Sequence, residues 1–495
     1  MMKLKIAKHV ADSAEAHALF FVKKAVQFSS VLSEEAELQV AKVLEEMSNG
    51  VSEDLDIVEI DGHKTIFVNA AKECGLNSLD LLRMAGYRLG LRAKQKHYKT
   101  VKLLLADAAD EQFKAILHGL YYSDYSFKKY KSNPKIDFCV TFEIEADART
   151  KDFEKIAAEV AVEQHYIGLC KNLVNTTGSD LNPEAFAKLA IQEAHRVPGL
   201  SITILNPRIL AKDGFNGLLT VGAGSRFEPC MVKLTYNPKD AVSDKHLALV
   251  GKGLTFDTGG ISLKPAKGMK EMQSDMSGAA AVLSAICAAA ELKIPLKISA
   301  YLCLAENRIG SGAVLPGDIF KAKNGKTVMV DNTDAEGRLV LSDGLCAAVE
   351  NGATHVIDLA TLTGAMVRAL GPYITGYFTN SDELVDLVKN ASANACEKFW
   401  QMPLDSEYAN ELKDYFADLS NIGKSAGAIL AALFLKEFIP DDVKWSHWDI
   451  AGTAFTERPW KYTRYGATGI GVQTLLGIMR EMSEEKEPSE KDEEA

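Results

Sequence analysis

Two carboxylates two residues apart, with a guanidinium two residues further on, stand in the run Asn332-Thr333-Asp334-Ala335-Glu336-Gly337-Arg338-Leu339. The apolar run Lys326-Thr327-Val328-Met329-Val330 ahead of them predicts a strand, and Leu339 to Val349 behind them predicts a helix. Acidic side chains held at a strand-to-helix turn are placed to grip hard or borderline cations. Four further segments set polar residues just past a predicted strand or at the opening of a helix. They are Val250-Gly251-Lys252-Gly253 running on to Asp257-Thr258-Gly259-Gly260, Ile261-Ser262-Leu263-Lys264-Pro265, Met272-Gln273-Ser274-Asp275-Met276, and Asp358-Leu359-Ala360-Thr361-Leu362-Thr363-Gly364.

Each segment alone has an ordinary explanation. Asp257 before Thr258-Gly259-Gly260 suits an Asx turn. Asp275 could cap a helix opening at Ser277. Asp334 and Glu336 could be acids favoured by a helix dipole, and Lys252 a solvated turn lysine. Together, four carboxylates and two lysines gather at one sheet edge. Two divalent ions roughly 3.5–4 Å apart need bridging carboxylates, and such a pair can clamp attacking and departing oxygens. The set therefore suggests a two-metal hydrolase. Neither HExxH nor GxSxG occurs, and the ten histidines do not cluster, which argues against a zincin and against a serine hydrolase of the elbow type. The phosphate-loop pattern GxxxxGK[ST] is not satisfied.

The elements that must position these residues read as α/β. Strands are expected at Ser201 to Leu205, Met231 to Tyr236, Leu247 to Val250, Ile298 to Leu304, Thr327 to Val330 and His355 to Leu359, with helices at Ser277 to Leu292 and Leu339 to Asn351. Such alternation predicts a mixed, largely parallel central sheet with helices on both faces, an α/β/α catalytic domain. Asn182 and Pro183 open a helix as cap and first residue. The first 150 residues predict a smaller α/β domain: a hairpin turning at Asp61-Gly62, a helix over Ser78 to Ala93 capped by Ser78, and strands at Val101 to Ala106 and Ile136 to Ile144. Asp152 to Val174 reads as one long helix, the core of a linking segment at 151–176. The catalytic part then spans 177–480.

The chain has 495 residues and a net charge of -11. The last fifteen residues, 481–495, hold eight acidic and two basic side chains, so this expected disordered tail accounts for -6 of it. The remainder is mildly acidic, without an electrostatic footprint for nucleic acid. Eight cysteines are scattered singly with no CxxC pair, as in reduced cytoplasmic proteins. The apolar stretch Ala18 to Val22 is too short for a signal peptide, and Gly278 to Ala290 too short for a bilayer.

The motif Asn332 to Leu339 resembles the signature of the leucyl (cytosol) aminopeptidases, also called bacterial aminopeptidase A. The resemblance extends through the Lys252, Asp257 and Asp275 segments, Ala360-Thr361-Leu362-Thr363-Gly364-Ala365 and Asp449-Ile450-Ala451-Gly452-Thr453-Ala454, and covers about Leu200 to Met479. It implies a metal-dependent leucyl aminopeptidase acting on short peptides. Lys252, Asp257, Asp275, Asp334 and Glu336 would ligate two divalent ions, Mn²⁺ or Zn²⁺, with Asp257 and Glu336 bridging. Lys264 and Arg338 would be catalytic, Lys264 as electrophile and Arg338 as the cradle of a bicarbonate base. Met272, Asn332, Thr361, Leu362, Gly364, Ala451 and Ala454 would bind substrate. The resemblance further implies a homohexamer, a macro-domain-like N-terminal domain serving assembly, and a cytoplasmic role in peptide turnover.

The chain departs from the family pattern at Arg308-Ile309-Gly310-Ser311-Gly312, at Leu315, at Ile470-Gly471 and in a short loop from Asn421 to Gly427. None of these positions is an implied metal or catalytic residue. Two rival functions are an architectural DNA-binding role, which the acidic balance opposes, and an inactive structural homologue, which would have broken ligand positions.

Overall fold

In the computed structural model, the residues described are 2–8, 14–22, 25–27, 34–48, 57–60, 63–69, 77–105, 108–134, 137–241 and 244–484. The chain forms two compact units. One comprises 1–164 with 459–464, the other 165–458 with 465–495.

The first unit is built on a mixed sheet. Its strands run in the order Lys3–Ala7, Thr141–Glu145, Thr100–Leu103, Ala16–Val22, His63–Asn69, Ile57–Ile60, with Ala25–Gln27 paired to Ala16–Val22. Ile57–Ile60 and His63–Asn69 pair antiparallel as the expected hairpin, whose turn at 61–62 lies outside the described residues. The helix over Ser78 is Ser78–Gln95, and its cap is Asn77 rather than Ser78. The Asn77 side-chain oxygen Oδ1 accepts from the Asp80 N–H at 2.8 Å, which makes Ser78 the first helical residue. The short strands are Thr100–Leu103 and Thr141–Glu145, while positions 106 and 136 lie outside the described residues. The long helix is Thr150–Asn175. Asp80 and Lys461 form an ion pair about 4% exposed on each side, which fixes the segment 459–464 within this unit.

The second unit has an eight-stranded sheet in the order Phe399–Gln401, Thr375–Thr379, Lys444–Asp449, His355–Ala360, His246–Asp257, Lys297–Asn307, Cys230–Tyr236, Leu200–Leu205. The four strands from Lys444–Asp449 to Lys297–Asn307 are mutually parallel, and antiparallel strands flank them. This is the mixed α/β architecture that the alternation predicts. Thr327–Val330 is a strand but lies in a separate three-stranded sheet, between Asp318–Lys321 and Leu419–Ser420. Asn182 caps the helix Pro183–Arg196 by accepting from the Ala185 N–H at 3.0 Å.

Two helices sandwich the middle of the large sheet. Ser277–Glu291 is made of small helix-forming residues, and all of them but Glu291 are buried. A methyl on Gly251 would stand 2.5 Å from the Ala279 Cα, and one on Gly278 2.0 Å from the Leu359 carbonyl oxygen, so this helix lies on the sheet at backbone distance. Gly337–Glu350 covers the opposite face, where a methyl on Gly344 would meet Val250 Cγ1 at 2.5 Å. Successive strand residues face opposite ways, so Val250, Lys252 and Leu254 point toward the Gly337–Glu350 helix and Gly251 and Gly253 away from it. Of the predicted tail, residues up to Ser483 complete the helix Val472–Ser483, and 485–495 lie outside the described residues.

Candidate metal centre

A β-bulge aims the first two site residues alike. Along His246–Asp257 the register against Lys297–Asn307 slips by one between Leu254 and Phe256. By alternation alone Asp257 would face the side of Gly251. The extra residue turns it to the side of Lys252, the re-aiming that bulges near active sites commonly perform. Asp257 Oδ1 then accepts from the Gly259 N–H at 2.8 Å and from Asn307 Nδ2 at 2.8 Å. The Asx turn is present, and it leaves Oδ2 to the Lys264 ammonium at 2.8 Å.

The motif turn is shaped by its own amides. Asn332 Oδ1 accepts from the Asp334 N–H at 2.8 Å, and the Thr333 hydroxyl donates to the Gly259 carbonyl at 2.6 Å while accepting from the Ser262 N–H at 2.8 Å. The motif is thereby stitched to the loop that carries Lys264. Asn421 braces the other side: Oδ1 accepts from the N–H groups of Asp331 and Asn332 at 2.9 and 3.2 Å, and Nδ2 donates to the Asn332 carbonyl at 2.7 Å. Its own carbonyl takes a hydrogen bond from Arg338 Nη1 at 2.7 Å. Glu336 closes the turn as the cap residue of Gly337–Glu350, with its side chain spent on the site and not on capping.

Lys252, Asp257, Asp275, Asp334, Glu336 and Lys264 converge. Lys252 Nζ lies 2.9 Å from both Asp275 Oδ2 and Glu336 Oε1 and donates to the Thr361 carbonyl at 2.9 Å. Lys264 Nζ lies 2.8 Å from Asp257 Oδ2 and 2.5 Å from Asp334 Oδ1. Asp257, Asp334 and Glu336 offer carboxylate oxygens within 4.8 Å of one another. Asp275 does not cap the helix Ser277–Glu291, since Met276 holds that place; its Oδ1 accepts from the Thr361 hydroxyl at 2.7 Å.

Four carboxylates thus share two ammonium groups in a buried place. Burial works against the charge on Lys252, but Asp275, Glu336 and Asp257 outweigh it and hold the ammonium well above its ordinary pKa. Lys264 is likewise raised by Asp257, Glu336 and Asp275 against burial. Burial also drives Glu336, Asp275 and Asp334 above the usual carboxylate range, with repulsion from Asp257 adding to it. The two lysines lower the carboxylates without offsetting this, so negative charge is in surplus. Asp275 Oδ2 and Asp334 Oδ1 are each met by a single lysine ammonium. Surplus charge and clustered hard oxygen donors fit divalent cations.

The remaining expected residues take the following places. Arg338 is buried, with Nε unpartnered and its pKa drawn down to about 10 by burial. Met272 sits in the same turn as Asp275, whose N–H donates to the Met272 carbonyl at 3.3 Å. Thr361 touches Lys252 and Asp275 directly. Leu362 and Ala451 meet through Asp449 Oδ1, which accepts from both N–H groups at 3.1 Å. Gly364 is exposed at the start of the helix Gly364–Leu370, and Ala454 is buried one helical turn beyond Ala451. Asn307 and Asn421 went unpredicted as functional residues. Asn307 ends a strand beside Asp257, a signal that its position offers, whereas Asn421 lies about ninety residues from the motif it braces.

Among the described residues, no helix is long and apolar enough to cross a membrane. Residues 168–476 match the model of the cytosol aminopeptidase family, catalytic domain. A probable cytosol aminopeptidase of Streptomyces avermitilis is 42% identical over 384 residues, which are 76% of this chain and 74% of that protein. One from Roseiflexus castenholzii is 43% identical over 378 residues, 75% of this chain and 76% of that protein. Among solved structures, the bottromycin maturation enzyme BotP in complex with Mn superposes with TM-score 0.82 at 32% identity, covering 95% of this chain and all of that one. A variant of tomato leucine aminopeptidase superposes with TM-score 0.85 at 27% identity, covering 97% of each chain. Family match, relatives and fold agree with the site's chemistry: this chain belongs to the cytosol aminopeptidase family and is an aminopeptidase, a peptide-bond hydrolase.

Proposed function

We propose that this enzyme releases N-terminal residues, preferably Leu and other apolar ones, from short peptides at a two-metal centre. The observation that carries the metal reading is the surplus of buried carboxylates around Lys252 and Lys264. Lys252, Asp257, Asp275, Asp334 and Glu336 would hold two divalent ions, Mn²⁺ or Zn²⁺, with Asp257 and Glu336 shared between them. When bound, the ions would supply a water acidic enough to attack a peptide carbonyl at neutral pH. As a ligand Lys252 would have to be a neutral amine, its proton given up to solvent because the cations' charge would replace its own beside the surrounding carboxylates.

Lys264 would stay charged and donate to the developing oxyanion, oriented by Asp257 and Asp334. Arg338, anchored on the Asn421 carbonyl, presents a planar fork suited to a bidentate anion. A bicarbonate held there would supply the general base that the site's own side chains lack. Met272, Asn332, Thr361, Leu362, Gly364, Ala451 and Ala454 would receive the substrate. The proposed assembly is a cytoplasmic homohexamer, with residues 1–150 serving assembly.

The test is release of p-nitroaniline from leucine p-nitroanilide by protein loaded with Mn²⁺ or Zn²⁺, its metal content measured by plasma emission. Release that depends on the metal is expected. No release by protein with two bound ions per chain would overturn the proposal. Light scattering checks the hexamer separately.

A further inference from the structure

The segment 361–363 is fixed from two sides. On one side the Thr361 carbonyl accepts from Lys252 Nζ at 2.9 Å, and its hydroxyl donates to Asp275 at 2.7 Å. On the other side it hangs on a carboxylate outside the metal cluster. Asp449, 1% exposed, accepts through Oδ1 from the N–H groups of Leu362 at 3.1 Å and Thr363 at 3.4 Å, and through Oδ2 from the Thr363 hydroxyl at 2.6 Å. The same Oδ1 accepts from the Ala451 N–H at 3.1 Å.

These bonds propagate. The Thr363 hydroxyl also accepts from the Met366 N–H at 3.0 Å, which starts the helix Gly364–Leu370. Beyond Ala451, the Ala454 N–H donates to the Ile450 carbonyl at 2.9 Å and completes a helical turn. One buried carboxylate, neutralised by three N–H groups and one hydroxyl, therefore ties together two stretches that are far apart in sequence. Only a carboxylate accepts on both oxygens; an amide in its place keeps the N–H bonds to one oxygen and loses the acceptor for Thr363.

We propose that Asp449 is a positioning residue for side-chain specificity: by fixing Leu362, Thr363 and Ala451 against one another, it sets the width of the space that receives the substrate's N-terminal side chain. This rests on the reading of Thr361, Leu362 and Ala451 as substrate-binding residues. The hydrogen bonds that Asp449 accepts run to Leu362, Thr363 and Ala451 and not to the side chains of the metal cluster. Its removal loosens the walls and not the ions.

The experiment compares kcat and KM for the p-nitroanilides of Ala, Leu and Phe. It uses Mn²⁺-loaded wild-type protein and the variants Asp449→Asn, Asp449→Ala and Thr363→Val, with metal content measured for each. In Asp449→Ala the preference for Leu over Ala in kcat/KM is expected to fall about tenfold, the size of discrimination that an apolar pocket gains per methylene. KM should rise more than kcat falls, metal content should hold at the wild-type value, and Asp449→Asn should recover part of the preference. An unchanged Leu-to-Ala ratio in all three variants overturns the proposal, as does an equal loss on every substrate accompanied by lost metal. If Asp449→Ala does not fold, the other two variants decide on the same criteria. Ala451→Leu separates the two claims: if it leaves the side-chain preference unchanged, the pocket reading fails and takes the proposal with it.

Discussion

Gly337 leaves the space that Lys252 fills: a methyl on residue 337 would stand 2.7 Å from the Cε of the lysine and 2.8 Å from its Nζ. The lysine cannot swing aside freely, because its nitrogen is held by Asp275, Glu336 and the Thr361 carbonyl. Gly337→Ala should therefore move Nζ by a fraction of an ångström and cut kcat by about 100-fold, the scale of a small misplacement at a reacting centre. Its melting temperature should fall by only about 2–4 °C, since a long side chain yields more cheaply than backbone. Steady-state kinetics and calorimetry on one preparation check both numbers.

Lys264 is partly exposed and ends between Asp257 and Asp334. Its proposed role predicts that Lys264→Ala lowers kcat by about 10²–10³-fold, the loss typical of one missing oxyanion donor. Metal content should be retained, because the four carboxylates stay in place. A drop of less than tenfold in fully loaded protein would remove Lys264 from the mechanism.

Removing metal should act on stability as well as on rate. Chelation with 1,10-phenanthroline or EDTA should abolish hydrolysis and lower the midpoint of thermal unfolding. Restoring Mn²⁺ or Zn²⁺ to about 100 times Kd should return about 2.7 kcal/mol by linkage. Asp334→Asn should weaken one ion only. Calorimetric titration would then resolve one site near wild-type affinity and one weakened.

Acid should act through His118 in the first unit. Its ring is 1% exposed and sits 3.2 Å from Glu163, with Gln164 Nε2 at 2.7 Å from the other ring nitrogen. Burial, with Arg83 and Lys114 nearby, outweighs Glu163 and lowers its pKa to about 4. The folded state thus favours the neutral ring. Its contribution is complete above the unfolded value of about 6.5 and drains away as pH falls toward 4, where the unfolded chain binds a proton that the folded chain refuses. That window is worth about 3 kcal/mol. Urea unfolding from pH 7 to 4.5 should show this slope in wild-type protein and a flatter limb in His118→Gln.

The chemistry was more legible than the architecture behind it. The residue types and spacing of Asp334, Glu336, Lys252 and Asp257 pointed to a shared site: Asp257 ends a strand and Asp334 and Glu336 lie between a strand and a helix, whereas Lys252, expected just past a strand, stands inside His246–Asp257. The strand Lys444–Asp449 went unseen because its signal is inverted. Trp445, His447 and Asp449 share one face and are all buried, with His447 bonded to Asp358 at 2.6 Å, so a polar sequence hides a core strand. Thr327–Val330 was visible as a strand, but nothing local could say that it would leave the large sheet to pair with Asp318–Lys321 and Leu419–Ser420. The bulge after Leu254 was equally silent. Its effect is to reverse the face of one residue, and only the pairing partner reveals it. Asn421 is the plainest case of tertiary information: an asparagine in a loop, indistinguishable by composition from any other, supplies two acceptor bonds to the motif turn.

That brace also sets a timetable for synthesis. All the proposed ligands lie between Lys252 and Glu336, so the ribosome has released every one of them well before Asn421 emerges. Until it does, the turn bearing Asp334 and Glu336 lacks its clasp, and Arg338 lacks the carbonyl on which it rests. A chain that ends before Asn421 therefore holds every proposed ligand but lacks the hydrogen bonds that brace the turn carrying two of them.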